Sequence, residues 1–170
     1  MSPRNARAVS TAVVGGLAAL VFFRLGLFFW TGVVGWAVLA EMGDDPAAMR
    51  KALGGSLFGA VIAWVAVVVS LLIPVPPEGW MWVPRLAVMV ALSLYVLEMA
   101  SGIDFFSGRL ARLAGYASLF GVAAVTAAEA AAFQRFTGPH LSNPLISTVI
   151  ALILGILAGQ VAKSMEKALA

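Results

Sequence analysis

The chain has 170 residues, of which 62% are hydrophobic and only 11% charged, with a net charge of +3. Soluble domains run at about 45–50% apolar and about 25% charged, so a water-soluble fold of this length cannot hide such a surface. A soluble enzyme, a nucleic-acid-binding protein and a disordered regulator are thereby set aside, and the lipid bilayer is the expected surrounding.

In chain order, apolar stretches fall at Ala8–Phe23, Leu25–Ala40, Leu53–Ile73, Trp82–Ala100, Leu110–Phe133 and Pro144–Ala162. Each is longer than the roughly ten residues of a barrel strand, which predicts helices. The fold class is therefore all-α integral membrane with about six transmembrane helices, a single polytopic domain over residues 1–170. The basic N-terminus followed by an apolar run looks like a signal peptide, but a second apolar stretch follows at once, so it reads as the first membrane helix. Ala8 to Ala40 is cramped, because two ordinary spans need about 40 residues before any turn. The second segment is therefore expected to be short, bent or locally thinning, with Gly32 and Gly35 inside it. Pro74, Pro76 and Pro77 break the chain after the third segment, and Thr137-Gly138-Pro139 before the sixth. Asp45-Pro46 and Asn143-Pro144 each read as an N-cap followed by proline at the first helical position. Trp80 and Trp82 fit an interfacial aromatic belt.

Basic residues set the orientation. With six crossings and both termini cytoplasmic, Arg4, Arg7, Arg50, Lys51, Arg109, Arg112, Lys163 and Lys167 face inward, and Arg24, Arg85 and Arg135 face outward. That asymmetry follows the positive-inside rule, and it is lost if the second and fifth segments do not cross.

Three landmarks recur in the same order. Gly35-Trp36-Ala37-Val38-Leu39 echoes Gly115-Tyr116-Ala117-Ser118-Leu119, Pro46 echoes Pro144, and Gly55-x-x-x-Gly59 echoes Gly155-x-x-x-Gly159. The offsets are 80, 98 and 100 residues, which requires an insertion near Ala123–Gly138. Halves at 8–73 and 82–166 would each hold three crossings, and an odd number inverts the second half: a 3+3 inverted repeat. Gly55, Gly59, Gly155 and Gly159 are also expected to pack helices closely, inside one chain or in a homo-oligomer.

Polar groups within apolar segments are the functional candidates, because they are costly there. Glu98 snorkels to the interface, pairs with Arg109 or Arg112, or lines a pathway. Glu129, among small residues, either flanks a pore, pairs with Arg135 or is exposed. Arg24 anchors a turn at the interface or recognises an anion at a pore mouth. Trp30, Trp36 and Tyr116 are expected as wall or gate residues beside the second and fifth helices. His140 stands without neighbouring acids or cysteines, so no metal site is expected, and the chain has no cysteine. No base is placed to activate a nucleophile, and neither enzymatic catalysis nor a cofactor is expected.

The stretch from Phe28 to Trp64, with Trp30, Gly32, Gly35, Trp36 and Ala37, resembles the bacterial membrane family called domain of unknown function 1097. LAGYASLFGVA fits the same family, whereas the acidic Glu41–Asp45 stands where a more Gly-rich turn is expected. The resemblance implies a multi-pass protein of the bacterial inner membrane and implies nothing about a substrate. From the residues themselves the leading expectation is a channel or facilitator for a small neutral or weakly charged solute. The alternatives are a proton-coupled transporter using Glu98 or Glu129, and an assembly subunit that only packs against partners.

Overall fold

The computed structural model describes residues 1–43, 45–73, 82–126 and 132–170. Among these the chain is helical throughout, without strands: α1 (Pro3–Leu25), α2 (Phe29–Met42), α3 (Pro46–Leu72), α4 (Trp82–Met99), α5 (Arg109–Thr126), α6 (Ala132–Thr137) and α7 (Pro144–Leu169). Two short 3-10 turns, Ala100–Gly102 and Asp104–Phe106, link α4 to α5. Both capping expectations hold. Asp45 Oδ1 accepts from the Ala48 N–H at 2.8 Å, and Asn143 Oδ1 from the Leu145 N–H at 2.9 Å, each ahead of a proline at the first helical position.

Several element boundaries differ from the hydropathy pattern: α1 begins at Pro3 rather than Ala8, α2 at Phe29 rather than Leu25, and α7 runs on to Leu169. Within the fifth apolar stretch the described helices are α5, to Thr126, and α6, from Ala132, and residues 127–131 lie outside the described residues. α3 starts at Pro46, seven residues before its apolar run, because the Asp45 cap and Pro46 start it and it then carries through the charged pair Arg50-Lys51. α2 has only 14 residues, which at 1.5 Å per residue is about 21 Å. That is less than the ~30 Å of a hydrocarbon core, so the crowding of the first two segments is resolved by shortening the second.

Among the described residues three helices are long and apolar enough to cross a membrane by length and composition: α1, α3 and α7. The surface agrees. Phe23 is 72% exposed and Leu20 67%, while Arg112 and Thr31 are 1% and 0% exposed. Apolar side chains pointing out and polar ones held in is the arrangement of a membrane protein.

Packing runs along two small-residue seams. α2 lies beside α7 in the same direction: Gly32 meets Gly155, Gly35 meets Leu152, and Leu39 packs with Ile156. α3 lies beside α5, also in the same direction, with Ala52 against Ala111, Gly59 against Tyr116 and Val67 against Ala123. α1 runs antiparallel to α7, joined at one end by Arg7 Nε and Glu166 Oε1 at 3.1 Å and at the other by Phe22 packing with Ala151. Leu152 of α7 packs with Ala60, Ala63 and Leu119, so the seams meet in a common core. One end of the bundle thus holds both termini and most of the charged residues. The α1–α2 turn and the α6–α7 connection lie at the far end.

Candidate functional site

At the far end the chain forms a polar hollow of about 180 Å³. Gly26 makes it possible from the α1 side. Its left-handed φ of 67° stops α1, its amide caps Phe22 and Phe23, and α2 begins only at Phe29. Gly26 and Phe28 form one wall, Val122 and Thr126 of α5 another, and Arg135, Leu141, Ser142 and Ser147 the third. The third wall is fixed by Asn143, whose Nδ2 donates to the carbonyls of Phe136 (2.9 Å) and Gly138 (2.8 Å). Trp64 Nε1 donates to the same Phe136 carbonyl at 2.9 Å, tying α6 to α3. His140 and Ser142 share a 2.6 Å hydrogen bond on the rim.

Below this hollow are three hydroxyls without a partner. Thr31 Oγ1, Ser118 Oγ and Thr148 Oγ1 are buried and make no hydrogen bond within the protein. Each lies within one helical turn of a residue that lines the hollow: Thr31 after Phe28, Ser118 before Val122, Thr148 beside Ser147. They come from three different helices. A buried hydroxyl with no partner costs roughly 1–3 kcal/mol, so three at one level are a departure from ordinary core composition. A fourth, Ser56 Oγ, is also unpartnered, on α3 at the seam with α5.

The opposite end is closed. Glu98 Oε1 accepts from Arg109 Nε at 3.1 Å, and Glu98 Oε2 from Arg112 Nη2 at 3.3 Å. Arg112 is 1% exposed, and its Nη1 donates to the Phe106 carbonyl. Phe106 stacks on Phe58 with ring centroids 4.4 Å apart, and Gly108 abuts Met42. Nearby, Asp104 bridges two cations, Oδ1 to Lys51 Nζ at 2.9 Å and Oδ2 to Arg50 Nη2 at 3.2 Å. The hydrogen bond from Lys51, then its charge, holds the Asp104 carboxyl below its usual range. No group of three metal-ligating side chains occurs among the described residues.

Residues 8–166, from the first helix to the last, match the model of the family described as Protein of unknown function (DUF1097). The chain belongs to that family. No curated protein and no solved structure matches it.

In this DUF1097 chain the sequence candidates separate into distinct places. Arg24 is in the last turn of α1, exposed, beside the Gly26 stop. Trp30 reaches across to Gly121 of α5, next to the hydroxyl level. Trp36 packs on Gly159 in the α2–α7 seam, and Tyr116 bonds Ser93 Oγ at 2.6 Å, tying α5 to α4. Both therefore pack helices rather than line the hollow. Gly32, Gly35 and Gly155 allow the close α2–α7 contact, and Gly55 and Gly59 the α3–α5 contact. The GxxxG glycines are thus occupied inside one chain, and the homo-oligomer expectation draws no support from them. Glu98 takes the pairing reading, with both arginines at once. Glu129 lies outside the described residues. Sequence reasoning missed Thr31, Ser118 and Thr148. Hydroxyls in apolar helices usually bond their own backbone, so nothing marks these three before helix register is known.

Proposed function

We propose that this chain is a channel or facilitator for a small, neutral or weakly charged, hydrogen-bonding solute in the bacterial inner membrane. The observation that carries this reading is the trio Thr31, Ser118 and Thr148, buried, unpartnered and each about one helical turn or less along its helix from a residue that lines the far-end hollow. Hydroxyls both donate and accept, so they can replace the water shell of an uncharged amide, alcohol or protonated acid. They offer no charge to an ion. The arrangement reads as an entry hollow at the far end, a constriction at the hydroxyls, and a gate at the charged end at Phe106 and Arg112.

The topology that goes with this reading has six crossings and both termini in the cytoplasm. α1, α2 and α3 would form one half, and α4, α5 and α7 the other, with α6 and its flanks as the insertion. What supports the inverted repeat is that the seams exchange under it. The offset of 80 carries α2 to α5 and the offset near 100 carries α3 to α7, so the α2–α7 seam maps onto the α5–α3 seam. Gly35 against Leu152 then corresponds to Gly115 against Ser56 within one turn. Repeats of this kind are common in transporters. Glu98 is held by two arginines, so a proton-coupled mechanism would fall to Glu129.

Uptake into liposomes tests the proposal. Purified protein is expected to speed entry of at least one uncharged solute from a panel of small amides, polyols and short acids, and Thr31→Val with Thr148→Val to slow it. If no solute enters faster than into empty liposomes, the facilitator reading fails and an assembly role takes its place.

A further inference from the structure

Ser56 Oγ and Arg112 Nε are both buried without a hydrogen-bond partner. The other two guanidinium nitrogens of Arg112 are taken, Nη1 by the Phe106 carbonyl and Nη2 by Glu98. The two residues share one stretch of the α3–α5 seam. Gly55 and Gly59, on either side of Ser56, lie against the Arg112 amide and the Arg112 carbonyl, and the Ser56 carbonyl lies against Gly115. Ser118 stands three residues beyond Gly115, about 4.5 Å further toward the hollow. Ser56 and Arg112 are thus the next polar groups along the seam, between Ser118 and the charged end. Packing does not call for a polar atom at position 56. One turn away on either side, α3 carries Ala52 and Ala60, both fully buried, so a methyl suffices where the seam needs a small side chain. A helical serine ordinarily bonds the carbonyl one turn back, and Ser56 makes no such bond. The Arg112 Nε–H cannot be lost by deprotonation, nor turned aside while both Nη atoms are held.

We propose that Ser56 and Arg112 form an inner solute station, which opening of the Phe106 gate exposes and which holds a small amide or carboxylic acid by its carbonyl oxygen. The station rests on the facilitator reading and names the solute class for it. Arg112 Nε only donates, and Ser56 Oγ donates as well as accepts, so together they suit an acceptor oxygen. An ammonium group brings only donors and a positive charge to a guanidinium. The carboxylate bonded to Arg112, Glu98, is already shared with Arg109.

The chain has no cysteine, so one introduced thiol reports alone. Purified Ser56→Cys in neutral detergent is treated with iodoacetamide, itself a small amide, with and without excess acetamide or methylammonium, and alkylation is read by mass spectrometry. Ala151→Cys is the control, as deeply buried but packed with Phe22 of α1. Ser56→Cys is expected to react roughly tenfold faster than the control, acetamide to slow it about threefold, and methylammonium to leave it unchanged. Arg112→Lys in the same background keeps the charge and removes the Nε donor, so protection by acetamide should disappear. Liposome uptake separates the station from the facilitator reading. A labelled and protected Ser56→Cys in a chain that passes no solute would keep the binding site and remove the facilitator. Uptake with an inert Ser56→Cys would remove the station and keep the facilitator. Equal labelling of Ser56→Cys and Ala151→Cys, no protection by acetamide, equal protection by methylammonium, or protection that survives Arg112→Lys would each overturn the proposal.

Discussion

Gly59 lies so close to the carbonyl oxygen of Arg112 that any Cβ there would overlap it. On the other seam Gly155 stands in the same relation to the carbonyl of Gly32. In lipid, where apolar burial gives helices little reason to associate, close backbone approach supplies the packing that holds them together. Gly59→Leu and Gly155→Leu are each expected to destabilise by about 3 kcal/mol, because the obstacle is backbone and cannot rotate away. Gly16, with nothing near its missing Cβ, is the control, and Gly16→Ala should stay within about 0.5 kcal/mol. Unfolding in mixed micelles by increasing anionic detergent measures both. Equal effects at Gly16 and Gly59 would remove the seam as the organising contact.

The hydroxyl trio separates function from stability. Replacing an unpartnered buried hydroxyl by an isosteric methyl removes a desolvated polar group, which is neutral or stabilising by about 1 kcal/mol. Thr31→Val and Thr148→Val should therefore leave the unfolding midpoint unchanged or raised. Solute flux should fall roughly tenfold for the pair, the consequence of about 1.4 kcal/mol at the constriction. Flux and unfolding measured on the same preparation give the result. A lowered midpoint with unchanged flux would mean that these hydroxyls serve packing alone.

Arg112 is enclosed and Glu98 is partly exposed, so the two sides of their ion pair are unequal. Removing the carboxylate strands a buried guanidinium, whereas removing both groups strands nothing. Glu98→Gln should cost about 1–3 kcal/mol, and Glu98→Gln combined with Arg112→Met should recover much of it. A double-mutant cycle on unfolding free energies tests this. Strict additivity of the two single changes would show that the pair is not coupled.

Much of the fold is legible in the residues. The Asp45-Pro46 and Asn143-Pro144 caps, the shortened second segment and the Gly-rich seams follow from local rules about caps, chain length and Cβ volume. The partners of the seams do not follow. Gly55 and Gly155 look alike in sequence, and only the assembled bundle shows that one faces α5 and the other α2. The site was the least visible part. Aromatic and charged residues drew attention, but Trp36 and Tyr116 fill space, while the plain hydroxyls at 31, 118 and 148 are buried without a partner, which only the assembled helices show.

Asp104 gives a prediction with a defined sign. Its carboxyl is held below its usual range, first by the hydrogen bond from Lys51 and then by the charges of Lys51 and Arg50. A carboxyl with a depressed folded-state pKa contributes stability above its unfolded value, near 3.9, and loses that contribution as pH falls through the lower folded value. The difference in melting temperature between the parent chain and Asp104→Asn should thus be small, constant from pH 7 to about pH 5, should shrink as the pH drops below about 4 and should vanish below the lowered folded value. Because Asp104 is exposed, 1 M salt should erase the difference at pH 7 as well. Scans at one fixed heating rate keep irreversible unfolding out of the comparison. A gap that persists below the lowered folded-state value would assign the effect of the variant to packing or hydrogen bonding of the side chain, since the charge would no longer be there to lose.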